Sequence, residues 1–289
     1  MPESGLPLPP VELARRVGVP DNDDVIDSYL QLGADARQVV LNTLPDDWSP
    51  DGRRVLDFGA GAGKVLRHLL EDWREAELHG CDIDAPSIEW LQANLSPPIH
   101  AFVNGETPPL DRPDGHFHLV LAMSVFTHLT DHSFAWLAEL HRVMAEGGLL
   151  IASFLGQQAY GAYGSGGWDE DRIGMNVMHY GQSWDLGGPT VFHSPWWLRE
   201  HWGRAFEIVS LRDGRARGDH GIVLLRRRPG TVAARDLELP SDDPREIEAL
   251  RFQVRQLLDE TGELRREAGD HSHNGLRARL GGLRRRVSR

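Results

Sequence analysis

The stretch from Val55 to Gly63, V-L-D-F-G-A-G-A-G, constrains the fold of this chain more than any other. Two apolar residues, Val55 and Leu56, lead into Asp57, and glycines then alternate at 59, 61 and 63. From Lys64 to Leu70 the residues Val65, Leu66, Leu69 and Leu70 share one helical face. A strand, a tight turn and a helix start are therefore expected in that order. Glycine suits such a turn because it accepts positive φ and because a missing Cβ lets a ligand come close to backbone N–H groups.

Spacing separates the loops that could fill this role. A dinucleotide fingerprint, G-x-G-x-x-G, begun at Gly59 would need its third glycine where Lys64 stands. A phosphate-binding loop needs glycine where Phe58 stands and Ser or Thr where Val65 follows the lysine. What remains, an acid followed by G-x-G-x-G, resembles motif I of the class I S-adenosylmethionine-dependent methyltransferases. That resemblance implies an α/β fold: a seven-stranded, mostly parallel sheet with helices on both faces, flanked by N-terminal helices and a C-terminal helix. It also implies S-adenosylmethionine as cofactor, S-adenosylhomocysteine as product, and a cofactor loop made of Asp57, Gly59, Ala60, Gly61 and Gly63.

A second strand, Glu77 to Ile83, ends near Asp82, about 20 residues past the glycines, where a carboxylate meets ribose hydroxyls. Asp84 instead caps the helix announced by Pro86. The family pattern then lays Ile83 against adenine, gives Asn104 the role of accepting from the adenine amino group, and adds Met123 at the end of the fourth strand. Asn104 and His118 stand where relatives commonly carry Asp, although an amide oxygen can accept the same hydrogen bond. Further strands are expected at His100 to Val103, Gly115 to Met123, Leu149 to Phe154, Phe206 to Arg212 and Gly221 to Arg226. A helix from Asp131 to Met144 should end at Gly147-Gly148. The chain divides into an N-terminal helical cap, 1–50, a catalytic domain, 51–228, and a linker, helix and basic tail, 229–289.

Forty percent hydrophobic content over 289 residues is enough for one substantial domain with additions. A formal net charge of -12 argues against a protein whose main work is gripping a phosphate backbone. The one cysteine, Cys81, excludes an intramolecular disulfide, and with no signal-like start or long apolar run the expected location is the cytoplasm. The arginines from Gly275 to Arg289 read as a solvated tail. Lys64 is the chain's one lysine, an imbalance that reads as compositional rather than chemical.

Substrate choice should reside in the insertion 156–202, which holds Tyr160, Tyr163, Trp168, Tyr180, Trp184, Trp196, Trp197 and Trp202 among glycines, acids and histidines. Aromatic faces pack on the apolar side of a sugar or polar ring while polar groups bond its hydroxyls, which makes Trp168, Tyr180, Trp184 and Asp185 candidate acceptor contacts. Trp196, Trp197 and Trp202 read instead as staples on a helix begun at Ser194-Pro195. In the family a helix before the first strand covers the donor, so Tyr29 in the helical pattern Val25 to Leu44 is a candidate wall; a shorter helix is expected at Val11 to Val17.

A hydroxyl acceptor needs a base near neutrality, and histidine is the natural one. His193, His179 and His128 are the candidates, in that order, with Asp185 able to orient either insertion imidazole. The segment S-V-F-T-H-L together with F-G-A-G-A-G-K-V-L-R-H-L resembles methyltransferases of bacterial glycan and secondary metabolism, which tilts the reading toward O-methylation of a sugar. No metal is expected, though Asp169, Glu170 and Asp171 leave room for magnesium. Amine, carboxylate or protein acceptors are the alternative, and a non-catalytic binding module is a third. From Pro244 to Leu264, Ile247, Leu250, Val254, Leu257 and Leu264 form a short heptad seam that either pairs two copies as a homodimer or packs back on its own subunit.

Overall fold

The structure, a computed structural model, describes residues 5–16, 24–163, 167–216 and 218–287, with the side chains of 163 and 267–287 outside that description. Residue 17 of the first expected helix and the side chains of the basic tail thus lie outside the described residues. Among the described residues nine strands form one sheet: β1 Arg54–Phe58, β2 Glu77–Asp82, β3 Ile99–Val103, β4 Phe117–Ala122, β5 Met144–Leu155, β6 Met175–Met178, β7 Thr190–His193, β8 Phe206–Arg212 and β9 His220–Arg227. The helices are α1 Val11–Arg15, α2 Val25–Thr43, α3 Leu66–Leu69, α4 Ala85–Leu95, α5 Ser133–Val143, α6 Gln157–Tyr163, α7 Pro195–His201, α8 Ala234–Glu238 and α9 Arg245–Val287.

Parallel pairing runs β3-β2-β1-β4-β5, and β9 returns antiparallel between β5 and β8. These seven strands are the sheet expected from the sequence. The insertion adds two more: β7 meets the end of β5 through Leu155 and Phe192, and β6 pairs antiparallel with β7. M-N-V-M and T-V-F-H are too short to show a period of two, so the insertion reads in sequence as loop. The helix expected to reach Met144 ends at Val143, and β5 begins at once, carrying Gly147 and Gly148 inside its first half.

The strands are buried on both sides, as a sheet with helices on both faces requires. Alternation distributes their side chains between two cores. Leu56, Val120, Leu150, Ala152, Val223 and Leu225 pack with Phe117, Trp136, Trp202 and Phe206 on one face. Val55, Leu119, Leu121, Leu149, Ile151 and Leu224 pack with Leu66, Leu69, Ile88 and Leu91 on the other.

The long helix α9 is anchored at its start. Its Glu246 Oε2 lies 3.1 Å from His201 Nε2, with both side chains buried, and the His201 ring stacks on Trp197 at 4.3 Å. Farther along, Gln253 exchanges two bonds with Val177 in β6, accepting from its N–H at 2.7 Å and donating to its carbonyl at 3.2 Å. The glutamine side therefore packs back on the insertion. The seam residues Ile247, Leu250, Val254 and Leu264 are exposed on the opposite side, while Leu257 is half-buried. No described helix is long and apolar enough to cross a membrane.

Candidate functional site

The glycine loop is stitched to the carboxyl end of β2. Gly59 and Ala60 both donate their N–H to the Cys81 carbonyl, at 2.8 and 2.9 Å. Gly59 has φ +87°, and a Cβ there would stand 2.5 Å from Val125 Cγ2, so both its backbone and its surroundings demand glycine. Gly61 donates its N–H to Asp82 Oδ2 at 2.8 Å, and Asp84 donates its own to Asp82 Oδ1 at 2.9 Å. Each Asp82 oxygen thus spends one lone pair on the backbone and keeps another. Burial raises the Asp82 carboxyl pKa, and those same amides oppose the rise.

Other donor-side candidates surround this loop. Asn104 donates its N–H to the Asp82 carbonyl and its side-chain amide to the Gly105 carbonyl, while its buried Oδ1 meets no partner among the described residues. Ala60 is buried, and Ile83 and Met123 are half-buried. Asp84, the residue before α4, makes no side-chain cap bond to the helix but accepts from Ser87 Oγ at 2.5 Å and from Arg16 Nη1 at 2.6 Å, so its oxygens are occupied. His118 accepts the Arg54 N–H at 3.0 Å, a strand-edge role that an acid at this position would also fill.

Asp57 is 2% exposed, and its Oδ2 has no hydrogen-bond partner among the described residues. Burial pushes its carboxyl up to about 7, against the pull of nearby Lys64. Burial likewise brings the Lys64 ammonium down to about 8, with Asp57 opposing. The Asp57 acid and the half-buried Lys64 therefore feel each other's charge while burial holds each toward its neutral form.

Helix α2 closes over these groups. Tyr29 is fully buried and donates its hydroxyl to the Ala62 carbonyl at 2.8 Å, and burial drives its pKa up to about 12. Tyr29, a candidate wall on the helix expected to cover the donor, is here a buried strut that fixes the glycine loop. One turn on, a Cβ at Gly33 would fall 2.3 Å from the Lys64 carbonyl oxygen and 2.5 Å from His68 Cδ2. Gly33→Ala should push α2 off the loop and destabilise the protein by about 1–3 kcal/mol, as overpacking does. Thermal unfolding of the variant checks this, and an unchanged midpoint would contradict the close packing.

The three candidate histidines lie in different surroundings. His128 follows β4 at the carboxyl rim of the sheet. Its Nδ1 lies 2.9 Å from the Pro189 carbonyl, so Nδ1 carries the proton and Nε2 keeps its lone pair. Its residue surface is solvent-exposed, yet crowding around the ring holds its pKa below the usual histidine value, with the Pro189 bond opposing. A Cβ built on Gly188 would be 3.6 Å from His128 Nδ1 and 3.7 Å from the Trp184 Cα, which places the Trp184–Leu186 turn beside this ring.

His193 is fully buried between Trp197 and Trp202, at centroid distances of 5.3 and 5.7 Å, and neither ring nitrogen has a partner among the described residues. Burial drives it down to about 3, so it is a neutral core ring with no access to a ligand. The strand β7 was unseen in the sequence, and its inward face claims this side chain. His179 is exposed at the turn after β6, with φ 56°.

The aromatic platform is smaller than the sequence suggests. Trp168 packs edge-on against Tyr160 at 5.5 Å and donates to Glu170 Oε2, which removes it from the acceptor side. Trp196, Trp197 and Trp202 are core. Tyr180 and Trp184 remain exposed, Tyr180 donating to Asp131. Asp185 accepts from Ser183 Oγ at 2.5 Å and orients neither imidazole. Asp169 accepts the Asp171 N–H and lies 3.8 Å from Arg172, so these acids are engaged locally. Sequence reasoning passed over His220, the first residue of β9, which lies near both His128 and Lys64.

Residues 55–148 match the family described as "Methyltransferase domain". The malonyl-[acyl-carrier protein] O-methyltransferase of Halorhodospira halophila is 33% identical over 138 residues, 47% of this chain and 45% of that protein. The demethylmenaquinone methyltransferase of Thermus thermophilus is 30% identical over 149 residues, 49% of this chain and 64% of that protein. The chain thus spans about half the length of the curated relatives it matches. The S-adenosylmethionine-dependent methyltransferase of Mesorhizobium loti superimposes with a TM-score of 0.51 at 17% identity, covering 66% of this chain and 96% of that one, a likeness of fold alone. Over residues 55–148 the chain is thus similar to methyltransferase domains, and its fold is like that of an S-adenosylmethionine-dependent methyltransferase.

Proposed function

We propose that this chain, with 51–228 as its catalytic unit, methylates an oxygen of a sugar or other polar small molecule in the cytoplasm, with His128 as general base. One observation carries the reading: His128 at the sheet rim has Nδ1 tied to the Pro189 carbonyl and Nε2 left as acceptor, beside the exposed Trp184. The Halorhodospira relative, named for O-methylation, favours oxygen over nitrogen.

The family's methyl donor is S-adenosylmethionine, and the residues present fit it. Two buried acceptor atoms, Asp57 Oδ2 and Asn104 Oδ1, have no protein donor among the described residues, and Asp82 keeps a free lone pair on each oxygen. In this reading Asp82 accepts from the ribose hydroxyls, Asn104 Oδ1 from the adenine amino group, and Ile83 and Met123 flank the base. Gly59, Ala60, Gly61 and Gly63 let the loop backbone approach, and Asp57 faces the donor's ammonium. The donor supplies an electrophilic methyl carbon. The protein must then align the acceptor behind it, exclude water and take a proton.

His128 Nε2 takes that proton from the acceptor hydroxyl, and the Pro189 carbonyl steadies the imidazolium that results. Tyr180 and Trp184 offer faces for the apolar side of a ring. The insertion histidines leave the catalytic role in this proposal, His193 because it is sealed in the core. A second copy docking through 244–264 is the protein partner this reading retains, since the exposed seam there is covered by nothing else among the described residues.

The experiment is incubation with methyl-labelled S-adenosylmethionine and a panel of glycosides, sugar nucleotides and carboxylic acids. Label that survives mild base marks a methyl ether and supports a hydroxyl acceptor. Label released by mild base marks a methyl ester and would replace this reading with carboxyl methylation, for which no base is needed.

A further inference from the structure

The helix α9 runs for 43 residues, about 65 Å at 1.5 Å per residue. Among the described residues, the hydrogen bonds and ring contacts that join it to the rest of the chain come from Arg245 to Gln256. Arg245 lies over the Trp196 ring at 4.8 Å, Glu246 meets His201, and Ala249 joins the core. The Arg172 guanidinium lies over the Phe252 ring at 5.2 Å, Gln253 exchanges its two bonds with Val177, and Gln256 accepts from Asn176. Past that point Thr261 and Arg266 bond to carbonyls of the helix itself. A helix takes most of its stability from packing an apolar face, and this one carries such a face uncovered.

Ile247, Leu250, Val254 and Leu264 are between 50% and 59% exposed, and Leu258 is 65% exposed. In a heptad lettered a to g with Ile247 at a, the a positions are Ile247, Val254 and Thr261, and the d positions are Leu250, Leu257 and Leu264. Every a residue is branched at Cβ and every d residue is leucine. That combination favours two parallel strands. The flanking charges point the same way. In a parallel pair a g position faces the e position of the next heptad, which sets Glu260 against Arg265 of the second copy. In an antiparallel pair e flanks e, which brings Arg251 toward Arg265 of the second copy, two like charges. The other g residues, Glu246 and Gln253, are already bound to their own subunit.

Deepening the paired-copy reading above, we propose that two copies join through α9 as a parallel, in-register two-stranded coiled coil, and that the paired helices hold the β6–β7 hairpin in position. The hairpin has little other attachment to the sheet. β7 meets β5 through one residue pair, Leu155 and Phe192. β6 is an edge strand, and at Val177 its N–H and carbonyl are taken by the Gln253 side chain of α9. The segment between β6 and β7 carries Tyr180 and Trp184, so a helix steadied by its copy steadies these exposed aromatics. The glycine loop, at β1 and β2, has no bond to α9 among the described residues and stays independent of the pairing.

Sedimentation equilibrium of the full chain tests the pairing. The wild type should be a dimer at micromolar concentration. Leu250→Glu/Val254→Glu, changed at two exposed positions, should weaken association by more than about a hundredfold while unfolding cooperatively. Glu260→Arg should weaken it by about tenfold, and Glu260→Arg/Arg265→Glu should restore it. Thr261→Cys should cross-link to its copy under diamide, because equal a positions meet only in the parallel register. A monomeric wild type, or a dimer untouched by Leu250→Glu/Val254→Glu, would overturn the pairing, and a dimer whose Thr261→Cys does not cross-link would overturn its orientation. Hydrogen exchange tests the hold on the hairpin: the Val177 amide should exchange at least about tenfold faster in Leu250→Glu/Val254→Glu. Unchanged protection there would overturn that hold. Neither measurement uses a methyl donor or acceptor, so their failure is separate from failure of the methyl-transfer reading.

Discussion

Asp82→Ala is expected to lower affinity for S-adenosylhomocysteine by about 10²–10⁴-fold, the largest effect of any single change at the donor site. Two bonds to ribose hydroxyls would be lost, and a hydrogen bond to a charged group contributes about 1.5–3 kcal/mol. The carboxylate also accepts from the Gly61 and Asp84 N–H groups at 2.8 and 2.9 Å, so its removal frees the glycine loop from the end of β2. Asp82→Asn keeps one oxygen and should fall between the two. Asp84→Asn should leave binding within a few-fold of wild type, because Asp84 is occupied by Ser87 and Arg16. Calorimetry on the three variants checks the order, and equal affinity in wild type and Asp82→Ala would contradict the assignment.

His128→Gln is expected to reduce kcat for a hydroxyl acceptor by about 10²–10⁴-fold, the usual range for loss of a general base. Glutamine can still reach the Pro189 carbonyl through its amide N–H, but it cannot take a proton. The pH dependence carries the sign. Crowding around the ring lowers the His128 pKa below its ordinary 6.5, so the base-competent neutral form prevails above that value and is lost as pH falls through it. Wild-type kcat should therefore fall on the acidic side, below about pH 6.5, and the variant's residual rate should be flat across that limb. A variant with wild-type kcat would point to a carboxylate acceptor, which needs no deprotonation near neutrality.

Much of the proposed donor half was legible in the sequence because its geometry is local. A strand, alternating glycines and an acid at the end of the next strand lie within about 30 consecutive residues, and each is fixed by backbone needs that leave a mark in residue type. The proposed acceptor half is assembled from distant segments. His128 is oriented by the carbonyl of Pro189, 61 residues later. His193 reads as an exposed loop base until β7 pairs with β6 and turns it into the core beside Trp197 and Trp202. Strands of four residues carry too few positions to display a period, so the burial of that ring could not be read from the pattern around it. Tyr29 was placed on the right helix, but the direction of its hydroxyl, into the Ala62 carbonyl, depends on how closely α2 packs at Gly33.

The central claim is that this chain holds S-adenosylmethionine at the Asp57–Asp82 loop, and the most direct measurement is titration calorimetry of the wild-type protein with S-adenosylhomocysteine. The account predicts a one-to-one complex with Kd on the order of 1 µM, about −8 kcal/mol. Absence of binding up to about millimolar ligand, near −4 kcal/mol, from a protein that unfolds cooperatively would contradict it.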